Sequence, residues 1–553
     1  MNLSNLFSIV IFAFIVRTLR NSLYFIFLWQ MKEYRIDRIE AHLHTDQGRR
    51  LIFGPMTLVK WILLLIILLD IFLRKYLPFK EELIWILPYV IFWIIWIIEA
   101  LLNIRELISR GWRLPKFTLK VILILLAVFF IQFGTLNANR QVPLILGPLL
   151  DKLLAPSVAF IVVLLSIPTW FFKKIIVILA KRKISQRKSL IVIGITGSYG
   201  KTSTKEFLAQ ILSAKYHVLK TEGSTNTEIG IAKTVLNKLT ANHEVFIVEM
   251  GAYKEGEIIA ICKIVKPQIG IITGINQQHI ELFGSIESTM KTKFELIENL
   301  RRNGTAVFNL GNKYVYKMFN WTKEKRPDMS IWGYQKAAKE KLNLQKETQL
   351  LFAKDIVVSA QNLSFQIVDD QQQVTCSAGL LGEQNVENIL AAGCVALSLG
   401  LTPEELKKAV EVIEPPVKTM RLVKVLGGTY LIDDTFNANP DGVIAAIAYM
   451  KIFAGRKILV LTPLIELGEE AERIHKFLGK KAAELCDLIL LTNLNYYKSF
   501  IEGAAQAKGE GKIQVVNTIV GEKLIRQNLS KKSVVVFEGR EAGRILDQLV
   551  KLD

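Results

Sequence analysis

Ser189-Leu190-Ile191-Val192-Ile193-Gly194-Ile195-Thr196-Gly197-Ser198-Tyr199-Gly200-Lys201-Thr202-Ser203-Thr204-Lys205-Glu206-Phe207-Leu208 reads as a β-rich run, a glycine-rich loop and the start of a helix. That order is the setting of a nucleotide-phosphate loop. Gly197 and Gly200 let backbone N–H groups close on phosphate oxygens, with Ser198 between them, Lys201 can reach the outer phosphates, and the Thr202 hydroxyl can meet Mg2+. The spacing departs from the ordinary Walker form, because Ile195 stands five residues before Gly200 and glycines recur at 194, 197 and 200.

Beyond this loop, short β-branched runs alternate with helical patterns: Glu244–Val248, Gln268–Ile272 and Thr305–Phe308 predict a parallel α/β sheet. Residues 350–381 alternate as strands around Asp369-Asp370-Gln371-Gln372, an antiparallel flank. Pro415-Pro416 close this part. A second series, with strands expected at 431–432, 458–461, 488–491, 513–516 and 533–537, predicts a smaller, separate doubly wound domain. The fold class is therefore α/β: a helical membrane region over 1–188, a P-loop central α/β domain over 189–415 and a C-terminal α/β domain over 416–553.

The front of the chain is of another kind. With 51% hydrophobic residues and mean hydropathy +0.31, the 553-residue chain is too apolar for an ordinary soluble enzyme. Residues 1–188 carry 25 Lys+Arg against 10 Asp+Glu, so most of the net charge of +20 lies beside apolar stretches. That is a membrane signature, and nucleic acid is not an expected partner. Spans are expected at about 56–73, 83–102, 117–136 and 156–172, while Arg17 and Arg20 interrupt 3–29. Lys+Arg counts of five, three, four, two and seven in 30–55, 74–82, 103–116, 137–155 and 173–188 place the first, third and fifth segments in the cytoplasm. A multi-pass protein of a bacterial-type cytoplasmic membrane follows, with everything after residue 173 facing cytosolic ATP. The basic, apolar stretch 173–188 reads either as an interfacial helix or as stop-transfer charge. Cys262, Cys376, Cys394 and Cys486 form no CxxC pair and are expected as reduced core residues.

Polar groups gather past predicted strands. Glu249 is a hard oxygen ligand for Mg2+. His279 and Lys293, taken alone, read equally as a satisfied histidine and a solvated helix charge. Asp433-Asp434-Thr435-Phe436-Asn437-Ala438-Asn439-Pro440 forms a tight polar turn, and Arg421 could clamp a phosphate.

With Asn226-Thr227-Glu228-Ile229-Gly230, Glu249-Met250-Gly251, His279 through Ser285, Asn385 through Ala392, Asp434 through Pro440 and Glu466-Leu467-Gly468, the chain over about 190–553 resembles the Mur ligase family. The nearest type adds D-alanyl-D-alanine to a UDP-muramoyl-tripeptide. The resemblance implies an ADP-forming carbon–nitrogen ligase using ATP and two Mg2+ ions. It makes Lys201, Thr202 and Ser203 phosphate and Mg2+ contacts, Glu249 a ligand of one Mg2+, and His279 with a carbamylated Lys293 the surroundings of the second. Asn385 and Asn388 would line the nucleotide pocket, Arg421 and Asp434 would reach ATP, and Asn437 and Asn439 would hold the incoming substrate. The implied partners are a wall-precursor carboxylate, an amine-bearing dipeptide or amino acid, and the lipid bilayer. No protein partner is indicated.

Some positions depart from the pattern. Gln384 stands where the family has His, Thr273-Gly274 replaces Thr-Asn, Thr462-Pro463-Leu464 replaces Gly-Asp-Met, and Glu538-Gly539-Arg540 replaces Lys-Gly-Ser. The family's small UDP-gripping N-terminal domain is replaced by membrane helices. Competing readings are a lipid-linked or polyglutamate-type acceptor, a non-catalytic scaffold, and a transport-coupled ATPase using Lys60, Asp70, Glu99 and Lys120, most of which lie near expected span ends.

Overall fold

A computed structural model describes residues 3–43, 46–76, 82–109, 111–137, 142–277, 280–336, 348–369 and 372–551. The chain divides into two compact units, Met1–Lys174 and Ile175–Asp553.

The first unit is helical: Leu3–Met31, Ile36–Leu43, Asp46–Phe53, Pro55–Tyr76, Glu82–Ile108, Leu119–Asn137 and Val142–Leu164, with the Ser166–Ser185 helix running on into the second unit. Among the described residues four helical stretches are long and apolar enough to cross a membrane: Ser8–Met31, Gly48–Leu73, Ile86–Ile108 and Leu146–Ser185. Leu119–Gly134 is a shorter apolar helix. Segment 3–29, whose apolar run Arg17 and Arg20 interrupt, lies in one helix, Leu3–Met31, with Arg17 paired to Glu99 and Asp151. One expectation is corrected. Residues 137–155, expected between spans, are helical from Val142, and Pro148 and Pro156 lie within that helix.

These helices share an ion cluster. Arg17, Lys60 and Asp151 are buried, and Glu99 is a quarter exposed. Arg17 meets Glu99 and Asp151, Lys60 lies 2.5 Å from Glu99, and Lys60 lies 3.9 Å from Asp151. Two cations and two anions offset one another, which is what permits charge inside apolar helices. Lys60 and Glu99 are thus interior partners rather than span-end charges.

In the second unit the strands are β1 (Ile191–Thr196), β2 (Val218–Lys220), β3 (Val245–Glu249), β4 (Ile269–Ile272), β5 (Thr305–Asn309), β6 (Ser330–Lys336), β7 (Gln349–Val358), β8 (Leu363–Val368) and β9 (Gln373–Ala378). They form a nine-stranded sheet of order β2-β3-β1-β4-β5-β6-β7-β8-β9. Pairing is parallel through β7 and antiparallel across β7-β8-β9, so the antiparallel flank continues the parallel sheet. Its central strands are buried along their length, which is why they read as unbroken apolar runs.

The C-terminal sheet is built from β10 (Arg421–Leu426), β11 (Thr429–Asp434), β12 (Lys457–Leu461), β13 (Leu488–Leu491), β14 (Ile513–Val515) and β15 (Val534–Glu538), in the order β10-β11-β15-β12-β13-β14. Only β10 runs antiparallel. The four cysteines are buried and free.

The stretch 173–188 is claimed by the second unit. Ala180 and Ile184 are buried in one cluster with Leu190, Val192 and Phe246. Lys183 Nζ donates to Leu236 O at 2.9 Å, and Arg187 donates to His243 O at 3.2 Å. Lys183 and Arg187 thus cap carbonyls of the α/β core, while Lys173, Lys174, Lys181, Arg182 and Lys188 stay exposed, a division that apolar and basic periodicity cannot reveal.

Candidate active site

β1 ends where the phosphate loop begins, and the Thr196 hydroxyl donates to Met250 O at 2.9 Å, fixing the loop against the end of β3. Gly197 has φ +151° and Gly200 φ +77°, values that side chains rarely adopt. A Cβ on Gly200 would stand 2.8 Å from Asn388 Oδ1, and one on Gly197 would stand 3.0 Å from Gly274 O. Close approach and dihedral both require glycine here. The Lys201–Leu212 helix starts at Gly200 with no side-chain cap, so its first N–H groups and dipole are left facing the loop. The apolar face Phe207, Leu208, Ile211 and Leu212 anchors that helix in the core.

Lys201 Nζ lies over the loop, donating to Gly197 O at 2.7 Å and Ser198 O at 3.1 Å. Burial lowers its pKa, and the Glu249 carboxylate opposes that shift. The Ser198 hydroxyl is buried with no hydrogen-bond partner among the described residues. Such an orphan at the mouth of a glycine loop fits a phosphate oxygen. Ser203 lies half-buried in the first helical turn.

Thr202 Oγ1 donates to Glu249 Oε2 at 3.0 Å, which brings two hard oxygens together at the end of β3. Mg2+ commonly takes one or two protein oxygens and fills its octahedron with water and phosphate, so this donor pair fits Mg2+ on a triphosphate. Sequence reasoning missed Lys205. It is fully buried, lies 3.1 Å from Glu249 Oε2 and donates to Gly223 O at 2.6 Å. Asn226 Nδ2 holds the other Glu249 oxygen at 3.2 Å. One signal was available: a lysine four residues after Lys201 shares its helix face.

Lys293 is buried on the Ile286–Glu298 helix, donates to Ala252 O at 3.2 Å and lies 5.4 Å from the Phe283 ring. Burial, reinforced by the Lys201 charge and opposed by Glu257 and Glu295, brings its pKa down to about 7. The reading of Lys293 as a solvated helix charge is therefore excluded. His279 lies outside the described residues. Among the described residues no three His, Cys, Asp or Glu side chains converge on one point.

Asn388 joins the loop by accepting from Thr204 Oγ1 at 3.3 Å, and its amide donates to Asn385 Oδ1 at 3.2 Å. Asn385 in turn donates to Leu381 O at 2.9 Å. Its side chain thus positions Asn388. Gln384, beside them, has Oε1 buried without a partner.

On the C-terminal sheet, Arg421 opens β10, exposed, in register with Asp433. Asp434 accepts from Met420 N at 3.2 Å, and desolvation raises its pKa to about 7. Asn437 is exposed. Asn439 caps the Pro440–Met450 helix by accepting from Gly442 N at 3.2 Å. The two sheets meet near these residues, where Asn276 donates to Asp441 at 2.6 Å and Gln277 to Glu470 at 3.3 Å.

Residues 195–396 match the family model of the Mur ligase middle domain, and residues 419–540 match that of the Mur ligase glutamate ligase domain. The chain is 30% identical over 367 residues to the UDP-N-acetylmuramoyl-tripeptide--D-alanyl-D-alanine ligase of Haemophilus influenzae, covering 65% of this chain and 76% of that one. It is 30% identical over 291 residues to the Escherichia coli ligase of the same name, spanning 53% of this chain and 62% of that one. Among solved structures, MurF from Acinetobacter baumannii aligns with TM-score 0.61 at 26% identity, covering 68% of this chain and 80% of that one. MurF from Thermotoga maritima, solved with ADP, aligns with TM-score 0.58 at 26% identity, covering 68% and 83%.

Proposed function

The chain belongs to the Mur ligase family, and we propose that it is a membrane-borne, ADP-forming amide ligase that joins D-alanyl-D-alanine to a muramoyl-peptide. The substrates are those in the names of its relatives. The reading is carried by one observation: an orphaned Ser198 hydroxyl and Lys201 stand at a glycine loop whose Thr202 meets a buried Glu249. Apolar helices in the first unit support attachment to a bilayer, and the placement of basic loops supports a cytoplasmic ligase.

Bound Mg-ATP would supply the phosphoryl group that converts the acceptor carboxylate to an acyl phosphate, which the dipeptide amine then attacks with loss of phosphate. The protein's part is electrostatic. Loop N–H groups, Ser198 and Lys201 would hold the phosphates and offset charge that grows on their oxygens. Thr202 and Glu249 would hold Mg2+, with Asn226 and Lys205 fixing the carboxylate so that it does not turn away. Asn388 would seat the nucleotide against Gly200. Asp434, Arg421, Asn437 and Asn439 would complete the pocket from the C-terminal sheet, excluding water from the activated acid.

Lys293 would become a carbamate. With a pKa near 7, about half of its amine is neutral at neutral pH. A neutral amine would attack CO2 and release a proton, leaving an oxygen donor suited to a second Mg2+, which the family resemblance would have it share with His279.

The test uses the full chain in nanodiscs, with ADP release and product mass followed over a panel of UDP-linked and lipid-linked muramoyl-tripeptides. ADP release should require both the carboxylate and the dipeptide, and Lys201→Ala should lower turnover by at least about a thousandfold, on the scale of losing a transition-state charge contact. Removing bicarbonate should lower the rate, and intact mass should show a CO2 adduct on Lys293. ADP release indifferent to both co-substrates would overturn the ligase reading. Unmodified Lys293 in fully active protein would overturn the carbamate.

A further inference from the structure

Away from the phosphate loop, the membrane unit contains a half-open cavity of about 400 Å³. Arg20 and Tyr24 line it from the Leu3–Met31 helix, Arg50 from Asp46–Phe53, and Glu106 from the end of Glu82–Ile108. Trp112 and Arg113 line it from the extended stretch that follows. Three guanidinium groups from three separate segments converge on one space.

Only one of them is offset by the cavity's carboxylate. Arg20 donates to Glu106 through Nη2 at 3.0 Å and Nε at 3.3 Å, and lies 5.3 Å from the Tyr24 ring. Arg50 and Arg113 are exposed, and among the described residues no carboxylate or carbonyl engages their guanidinium groups. Trp112 is held in place by its indole N–H, which donates to Asn103 O at 2.9 Å. Among the described residues the cavity thus presents two cations without an anion, beside the Tyr24 and Trp112 rings, a combination suited to the boundary between headgroups and hydrocarbon.

Arg50 lies at the start of the apolar stretch Gly48–Leu73 and Glu106 near the end of Ile86–Ile108, so two spans end at the cavity, while Arg20 and Tyr24 reach it from within Ser8–Met31. Glu99 of the buried ion cluster is seven residues, roughly 10 Å of helix, further in. Both segments contributing the free arginines come from the basic stretches 30–55 and 103–116.

Charge selects the ligand. Three guanidiniums and one carboxylate leave a net +2. A phosphodiester headgroup carries a single negative charge, whereas a diphosphate joining a lipid to a second group carries two, and forked guanidiniums match its oxygens in pairs. We propose that this cavity binds the diphosphate of a diphosphate-linked membrane lipid, with Arg50 and Arg113 clamping the two phosphates and Arg20, held by Glu106, closing the inner side. The tail leaves along the exposed apolar faces of the helices, and Tyr24 and Trp112 sit at the headgroup level. The site requires neither ATP nor the ligase reaction, so its test is separate from that of the proposed function.

The full chain in nanodiscs of zwitterionic lipid is titrated with tritiated farnesyl diphosphate, and bound label is counted. Saturable binding is expected. Arg50→Ala with Arg113→Ala should weaken it about tenfold or more, Arg50→Lys with Arg113→Lys should recover part of it, and Arg49→Ala, an exposed neighbour outside the cavity, should leave it unchanged. Unlabelled inorganic pyrophosphate or phosphatidylglycerol should compete poorly. Wild-type binding by the double alanine variant would overturn the site. Equal competition by pyrophosphate would overturn its assignment to a lipid, and equal competition by phosphatidylglycerol would overturn the preference for a diphosphate.

Discussion

Gly274 and Tyr199 occupy one space, and that packing accounts for a departure from the family pattern. A Cβ on Gly274 would stand 2.6 Å from Tyr199 Oη, while the Tyr199 hydroxyl accepts from Asn312 Nδ2 at 3.2 Å. The chain carries glycine where Mur ligases carry asparagine because the ring of a phosphate-loop residue fills the site. Gly274→Asn should therefore lower the thermal midpoint, with overpacking of about 1–3 kcal/mol. Adding Tyr199→Ala should recover part of the loss, and an unchanged midpoint in the single variant would refute the account. Sequence reading located Lys201, Thr202 and Glu249 because each follows a strand or glycine turn. It assigned nothing to Lys205: the four-residue spacing from Lys201 puts it on the same helix face, but only the fold brings its ammonium against the buried Glu249. Gln384, in the family's histidine position, remains with a buried unpartnered oxygen for which the structure gives no reason.

At the ends of neighbouring strands, β11 and β15 place Asp434 opposite Glu538 in parallel register. Both are displaced by desolvation: Asp434 is pushed up to about 7, opposed by hydrogen bonds with Glu538 and Met420 N, and Glu538 lies well above the usual carboxylate range, raised further by Asp434 and Asp433. The folded protein therefore retains a proton that the unfolded chain loses near pH 4. Stability from this pair falls as pH rises from about 4 toward 7, since the folded state binds more protons over that window. Glu538→Gln should flatten that decline, seen as a smaller drop in the urea midpoint between pH 5 and pH 7 than in wild type. A decline identical to wild type would rule the pair out as its source. The strands themselves were legible as apolar runs. The juxtaposition was not, because β15 inserts between β11 and β12 and joins residues about a hundred positions apart.

Across the whole molecule, the helical unit and the α/β unit accommodate charge differently. The helical unit stabilises charge by mutual pairing, so removing one partner should cost more than removing two. Asp151→Ala leaves Arg17 and Lys60 with one carboxylate and should destabilise the protein by about 3–5 kcal/mol, read as its thermal midpoint in detergent. Asp151→Leu combined with Arg17→Met should regain most of that loss, and a double variant no better than the single would refute the ion cluster. The sequence by itself determined the phosphate loop, the alternation of strands and helices, and the apolar front, because these depend on local order: glycine freedom, side-chain period and span length. Tertiary structure alone decided which charges are interior partners, which unit claims the 173–188 stretch, and that three arginines share a cavity. Those outcomes depend on distances between segments remote in the chain, and Coulomb energy and burial respond to distance, not to sequence separation.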